Sequence, residues 1–143
     1  MTVKSILAIK GSDVVTIEPT ANIADAAKRL AERRIGALVV TGPDRRVVGI
    51  LSERDIIQAL AAHGTAALDL SLTEVMTRKV VTCSAGDTIS SLMERMTEGK
   101  FRHMPVLEQG KLVGIVSIGD VVKHRVQEME REQSALRDYI QTA

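Results

Sequence analysis

Aromatic side chains are almost missing from this chain, which has one Phe, one Tyr and no Trp in 143 residues. Proteins that grip single-stranded nucleic acid stack the bases on aromatic platforms, so that mode of binding is excluded. Cysteine is as scarce: Cys83 stands alone, cannot close an intramolecular disulfide, and has no zinc-ligand spacing around it. No metal is expected, and a reducing cytoplasm is the expected compartment. An excess of one charge sign is absent too, since 19 basic and 18 acidic residues, mixed along the chain, leave a formal net charge of +1. Binding a phosphate backbone needs a basic stripe, so nucleic acid is not an expected partner. No apolar run approaches the ~18 residues of a membrane span, and residues 1–10 lack the apolar core and cleavage site of a leader. A soluble, unprocessed chain with no membrane association is expected. Constellations for nucleophilic or two-carboxylate catalysis are missing as well, and His63 and His124 fall at expected helix ends. The reading is a binding module rather than an enzyme.

What the chain does contain is aliphatic and duplicated. Hydrophobic residues make up 45%, so the core must be built from Val, Ile, Leu, Ala and Met. Gly114-Ile115-Val116-Ser117-Ile118-Gly119-Asp120 is a near copy of Gly49-Ile50-Leu51-Ser52-Glu53-Arg54-Asp55. A shift of 66 residues brings Val15-Thr16 onto Val81-Thr82, and Ile23, Arg29, Glu32 and Val40 onto identical residues at 89, 95, 98 and 106. One residue then drops out of a turn, the shift becomes 65, and Val48-Gly49-Ile50, Ser52 and Asp55 meet Val113-Gly114-Ile115, Ser117 and Asp120. The chain is a tandem repeat, long enough for one compact domain or for two half-domains that share a core, each repeat being marginal alone.

In the first unit, β-branched Val14 to Ile17 predicts a strand stopped by Pro19. Asn22 with Asp25 starts a helix whose apolar face is Ile23, Ala26, Ala27 and Leu30, repeated later as Ile89, Leu92, Met93 and Met96. Gly36 is expected to break that helix. Strands Ala37 to Val40 and Val47 to Leu51 then form a hairpin about Gly42-Pro43-Asp44, and Ser52 opens a helix ending at His63-Gly64. The second unit predicts a strand at Val80 to Cys83, a helix at Thr88 to Thr97, strands His103 to Leu107 and Lys111 to Val116 about Gln109-Gly110, and a helix from Ser117. The organisation is repeat one over 10–64, a connector over 65–78, repeat two over 79–125 and a helical extension over 126–143. The connector, helical through Leu72 to Met76, lacks the bias of a free linker and is expected to pack on the body. Val122, Val126, Met129, Gln133, Leu136 and Ile140 recur at alternating four and three residues, a coiled-coil-like seam interrupted by Gln133 and expected to meet the body or a second subunit.

Each Gly-hydrophobic-hydrophobic-Ser-x-x-Asp copy reads as a strand running into a helix start, where free N–H groups and a positive partial charge suit a phosphate. An ionised carboxylate accepts only, and so suits a vicinal diol. The same Ser-x-x-Asp is also a capping box, which needs no ligand. Cys83 reads as a small core residue, and the methionines at helical spacing as core.

The duplicated order of strand, helix, strand, strand, helix, with those motifs and Arg102-His103-Met104-Pro105-Val106, resembles the cystathionine beta-synthase (CBS) domain pair, or Bateman module, over residues 10–125. It looks like the stand-alone bacterial form. The resemblance implies an α/β (α+β) fold of two β-α-β-β-α repeats packed about a pseudo-two-fold axis, plus the C-terminal helix. It implies an adenosine ligand such as AMP, ADP, ATP, S-adenosylmethionine or NAD(H) in clefts between the repeats, with AMP, ATP and NAD(H) favoured and no cofactor required. Asp55 and Asp120 would take ribose, and Ser52 and Ser117 phosphate, helped by Arg54, Arg102 and His103. Thr16, Ile17, Ala37 and Leu38, and Thr82, Cys83, Met104 and Pro105, would enclose adenine. One cleft would join Ser52 and Asp55 to Thr82, Arg102, His103 and Met104; the other would join Ser117 and Asp120 to Thr16, Ala37 and Leu38. Gly36 and Ala37 replace Arg102 and His103 in the second cleft, so the first is expected to take the more phosphorylated or dinucleotide ligand. The implied function is a nucleotide-sensing homodimer signalling to a separately encoded effector protein. The alternative is a ligand-free interaction protein dimerising through its CBS faces and C-terminal helix.

Overall fold

The computed structural model describes residues 1–142. It begins with an element the sequence reading did not anticipate, helix α1 (Val3–Lys10). The first half then runs β1 (Thr16–Ile17), α2 (Ile23–Arg33), β2 (Ala37–Thr41), β3 (Val47–Ser52) and α3 (Glu53–His63). A 3-10 turn at Gly64–Asp69 and the short α4 (Leu72–Val75) lead to the second half. That half comprises α5 (Ile89–Gly99), β4 (His103–Glu108), β5 (Lys111–Ser117) and α6 (Ile118–Thr142). It is the expected mixed α/β architecture, with one sheet ordered β1-β2-β3 and another made of β4-β5.

Local chemistry explains most boundaries, and the two halves share the details. Asn22 accepts from the Asp25 amide and Thr88 from the Ser91 amide, so α2 and α5 begin at matched positions. Both end on a left-handed residue, Arg34 at φ 55° and Lys100 at φ 56°; the stop is therefore Arg34, two residues before the Gly36 expected to cause it. Gln109 and Gly110 both have positive φ, which the tight β4–β5 turn requires. The expected strand at Val80–Cys83 is reduced to a single bridge from Cys83 to Val106. The cause is Pro105: the Cys83 amide donates to the Pro105 carbonyl at 3.0 Å, yet Pro105 has no N–H to extend the ladder back along the chain.

Helices α1 and α4 close the two cores in the same way. In the first half the Ile23 amide donates to the Leu70 carbonyl and the Leu72 amide to Ala21. In the second the Ile89 amide donates to Met1 and the Val3 amide to Asp87. Leu72 and Met76 join Ile17, Ile23, Leu30, Leu38 and Leu51 in one core, while Val3 and Ile6 join Ile89, Leu92, Met104, Val106 and Val116 in the other. The chain therefore crosses over: the helix at its start completes the far repeat. Side-chain-free Gly49 and Gly114 allow the approach, because a Cβ would stand 2.5 Å from Met76 Sδ and 2.8 Å from Leu7 Cδ2.

Helix α6 buries only Val121 and His124. His124 is thus a buried mid-helix residue rather than a helix end, its Nδ1–H donating to the Asp120 carbonyl at 2.9 Å. The seam does not pack on the body: Val122, Val126, Met129, Leu136 and Ile140 are 43 to 65% exposed.

Candidate functional site

Where β3 runs into α3, Ser52 caps the helix: its hydroxyl accepts from the Asp55 amide at 3.3 Å and its own amide donates to Asp55 Oδ2 at 3.0 Å. The capping box is real in this state. It engages one carboxylate oxygen, and Oδ1 faces the Thr77 hydroxyl at 3.5 Å. Beyond it lies a cleft of about 660 Å³ between the repeats, walled on one side by Ser52, Glu53, Arg54, Asp55 and Ile57. The opposite wall is Lys79, Val80 and Val81 with Lys100, Phe101, Arg102 and His103. Arg54, Lys79, Lys100 and Arg102 set four cations against the two carboxylates Glu53 and Asp55, beside apolar Ile57, Val80, Val81 and Phe101. A pocket with one apolar wall and an excess of cations suits a flat apolar group bearing phosphates.

His103 sits at the edge where the repeats meet, with Gly36 and Glu53 beside it. Burial, reinforced by the Lys10 and Arg102 charges and only partly offset by Glu53 and Asp120, lowers its pKa below the ordinary 6.5. Its ring is neutral near pH 7, so the positive charge on this cleft comes from the arginines and lysines.

The second copy of the motif is built alike and occupied differently. The Ser117 amide donates to Asp120 Oδ2 at 2.9 Å and the Asp120 amide to the Ser117 hydroxyl at 3.2 Å. Lys10 Nζ, at the end of α1, also donates to Asp120 Oδ2 at 2.6 Å and to the Ile115 carbonyl at 3.0 Å. Burial would raise the Asp120 carboxyl, but the Lys10 ammonium and the Ser117 donors outweigh it and hold the pKa below the ordinary 3.8.

Of the residues expected in the first cleft, Ser52, Arg54, Asp55, Arg102 and His103 line it together. Thr82 and Met104 do not, because the segment entering the cleft is Lys79–Val81. Expected adenine contacts Ile17, Ala37, Leu38, Met104 and Pro105 are buried in the strands and Cys83 is buried at its bridge, and none of them lines the cleft. Thr16 lines a separate groove with Arg29 and Arg45, apart from Ser117 and Asp120. Burial also pushes the Cys83 thiol up to about 12, so it is inert at neutral pH. Sequence reading missed Lys79, Lys100, Thr77 and Phe101; Lys79 precedes the expected strand and matches no basic residue at the shift of 66.

A duplicated helix-strand-strand-helix unit, each copy led by a short strand or bridge and carrying a matched Ser-Asp helix start, defines a tandem-repeat α/β fold. The CBS domain family matches residues 3–62 and 72–127, and the chain belongs to that family. The crystal structure of the CBS-domain containing protein ATU1752 from Agrobacterium tumefaciens superposes with a TM-score of 0.85 at 50% identity, covering 87% of this chain and 99% of that one. The CBS domain protein PAE2072 from Pyrobaculum aerophilum, complexed with AMP, gives 0.75 at 31% identity, covering 84% of this chain and 89% of that one. The mitochondrial CBS domain-containing protein CBSX3 of Arabidopsis thaliana is 34% identical over 121 residues, which are 82% of this chain and 59% of that one, so this chain spans less than two thirds of that relative. Among the described residues no helix is long and apolar enough to cross a membrane.

Proposed function

We propose that the chain is an adenine-nucleotide-binding regulatory module whose primary site is the cleft between Ser52–Asp55 and Lys79–His103. The observation that carries this reading is the convergence, across two repeats, of the Asp55 carboxylate, one oxygen of which is not used by the helix cap, and four cations around an apolar slot. Asp55 Oδ1 takes the ribose hydroxyls, the cations take phosphate, and Val80, Val81 and Ile57 flank the base. The AMP bound by the Pyrobaculum relative supports the ligand class. The excess of cations favours ATP or NAD(H) over AMP. A ligand spanning the repeats changes their relative angle only if it binds two arrangements with different affinity. The signal then passes to a separate effector protein.

Isothermal calorimetry with AMP, ATP, NAD and NADH tests this. At least one should bind, and Asp55→Asn should weaken it at least tenfold, equivalent to about 1.4 kcal/mol, while the protein still folds. Absence of binding by ligand-free wild-type protein would sink the reading.

A second feature favours assembly as a homodimer through α6. In heptad terms Val126, Gln133 and Ile140 are at a and Val122, Met129 and Leu136 at d. Two parallel copies would set Arg125 against Glu130 of the second copy, and Glu132 against its Arg137, pairing opposite charges. Gln133 at a core position favours one register.

A further inference from the structure

The two clefts differ through the helices that close the cores. Ser71 and Thr2 occupy matched bridges, to Asn22 and Thr88, so α1 and α4 correspond at a shift of 69 (71 minus 2). On that shift Met76 matches Leu7, which covers the matched glycine, and Lys79 matches Lys10. The helices differ in length: α4 ends at Val75, the counterpart of Ile6, whereas α1 continues to Lys10. Thr77 is therefore free to leave the helix and form a backbone bridge with Ile50, leaving Lys79 on the cleft wall. In the second half the helix carries on, and its terminal lysine reaches the Ile115 carbonyl, the counterpart of Ile50, and the Asp120 carboxylate.

We infer that Lys10 is a built-in counter-ion of the second motif: its ammonium holds Asp120 Oδ2, the oxygen that also serves the helix start, and neutralises the carboxylate a ribose would need, so that this motif takes nucleotide more weakly while Lys10 is in place. The inference rests on the nucleotide reading above. It makes the clefts unequal by construction: the first has its matching lysine on the wall, while the second has it on the carboxylate. It also ties the second motif to the end of α1, a helix whose Val3 and Ile6 complete the second core.

The test is calorimetric titration with AMP and ATP of wild type, Asp55→Asn, Lys10→Ala, Lys10→Arg and the double variant Asp55→Asn/Lys10→Ala, with folding checked by circular dichroism. Asp55→Asn silences the first cleft and isolates the second. Adding Lys10→Ala should then tighten binding roughly tenfold, as expected for releasing a charge-assisted hydrogen bond. Lys10→Arg, which keeps the cation, should leave the second cleft as in wild type. Unchanged or weaker binding in the double variant would overturn the inference, weaker binding marking Lys10 as a ligand contact. Binding in wild type lost with Asp55→Asn and not regained in the double variant upholds the nucleotide reading and sinks this one. Binding that appears only when Lys10 is removed sinks the first-cleft assignment and upholds this one; no binding by any variant overturns both.

Discussion

Asp55 serves two partners with two oxygens. Oδ2 is committed to the helix start through the Ser52 amide, and Oδ1 accepts from the Thr77 hydroxyl at 3.5 Å. The cap leaves Oδ1 outside the helix-start hydrogen bonds, so capping and the proposed ribose contact are compatible. His103 illustrates how burial changes a role: on sequence it reads as a cation, yet in place it is held neutral. Because its pKa is lowered in the folded state, the unfolded chain takes up the proton first. The folded state therefore keeps its full stability above the ordinary pKa of 6.5 and loses part of it as pH falls from there through the lowered value. An NMR titration of the imidazole should give a midpoint below 6.5, and Lys10→Ala should raise it, since Lys10 is one of the charges opposing protonation. A midpoint at or above 6.5 would restore an imidazolium to the phosphate site.

At the scale of elements, the leading helices matter more than their length suggests. Deleting residues 1–10 removes two fully buried side chains, Val3 and Ile6, from the second core. At about 1.5 to 3 kcal/mol each, that loss rivals the net stability of a small domain. Amide hydrogen exchange of the truncated chain should show protection lost in α5, β4 and β5 before β2 and β3; equal protection in both halves would show that α1 contributes little. The repeat itself was legible because identities recur at 66 and 65, and with it the hairpins, the capped helices and the pairing of Ser52 with Asp55. Helix α1 was not, because it matches α4 at 69, with similar rather than identical residues, Val3 for Leu72 and Leu7 for Met76. The lost strand before Cys83 follows from Pro105, a missing donor on its partner rather than a weakness of its own β-branched residues. The cleft was half legible: its motif residues were visible, and Lys79, Lys100 and Phe101 were not, since only tertiary approach brings them to Asp55.

At the scale of the whole molecule, a compact pair of repeats carries a helix of 25 residues whose outer face stays uncovered. Light scattering coupled to size exclusion should report a dimer. Reversing one pair of the complementary charges by Glu132→Lys should weaken it, and adding Arg137→Glu should restore it. A monomer at all working concentrations would remove the seam from the functional account. A crystal structure grown with ATP or AMP tests whether the first cleft is the nucleotide site. The expected result is ribose on Asp55 with phosphates turned toward Arg54, Lys79 and Arg102. Ligand bound only at Asp120, or density at neither motif under saturating nucleotide, would contradict it.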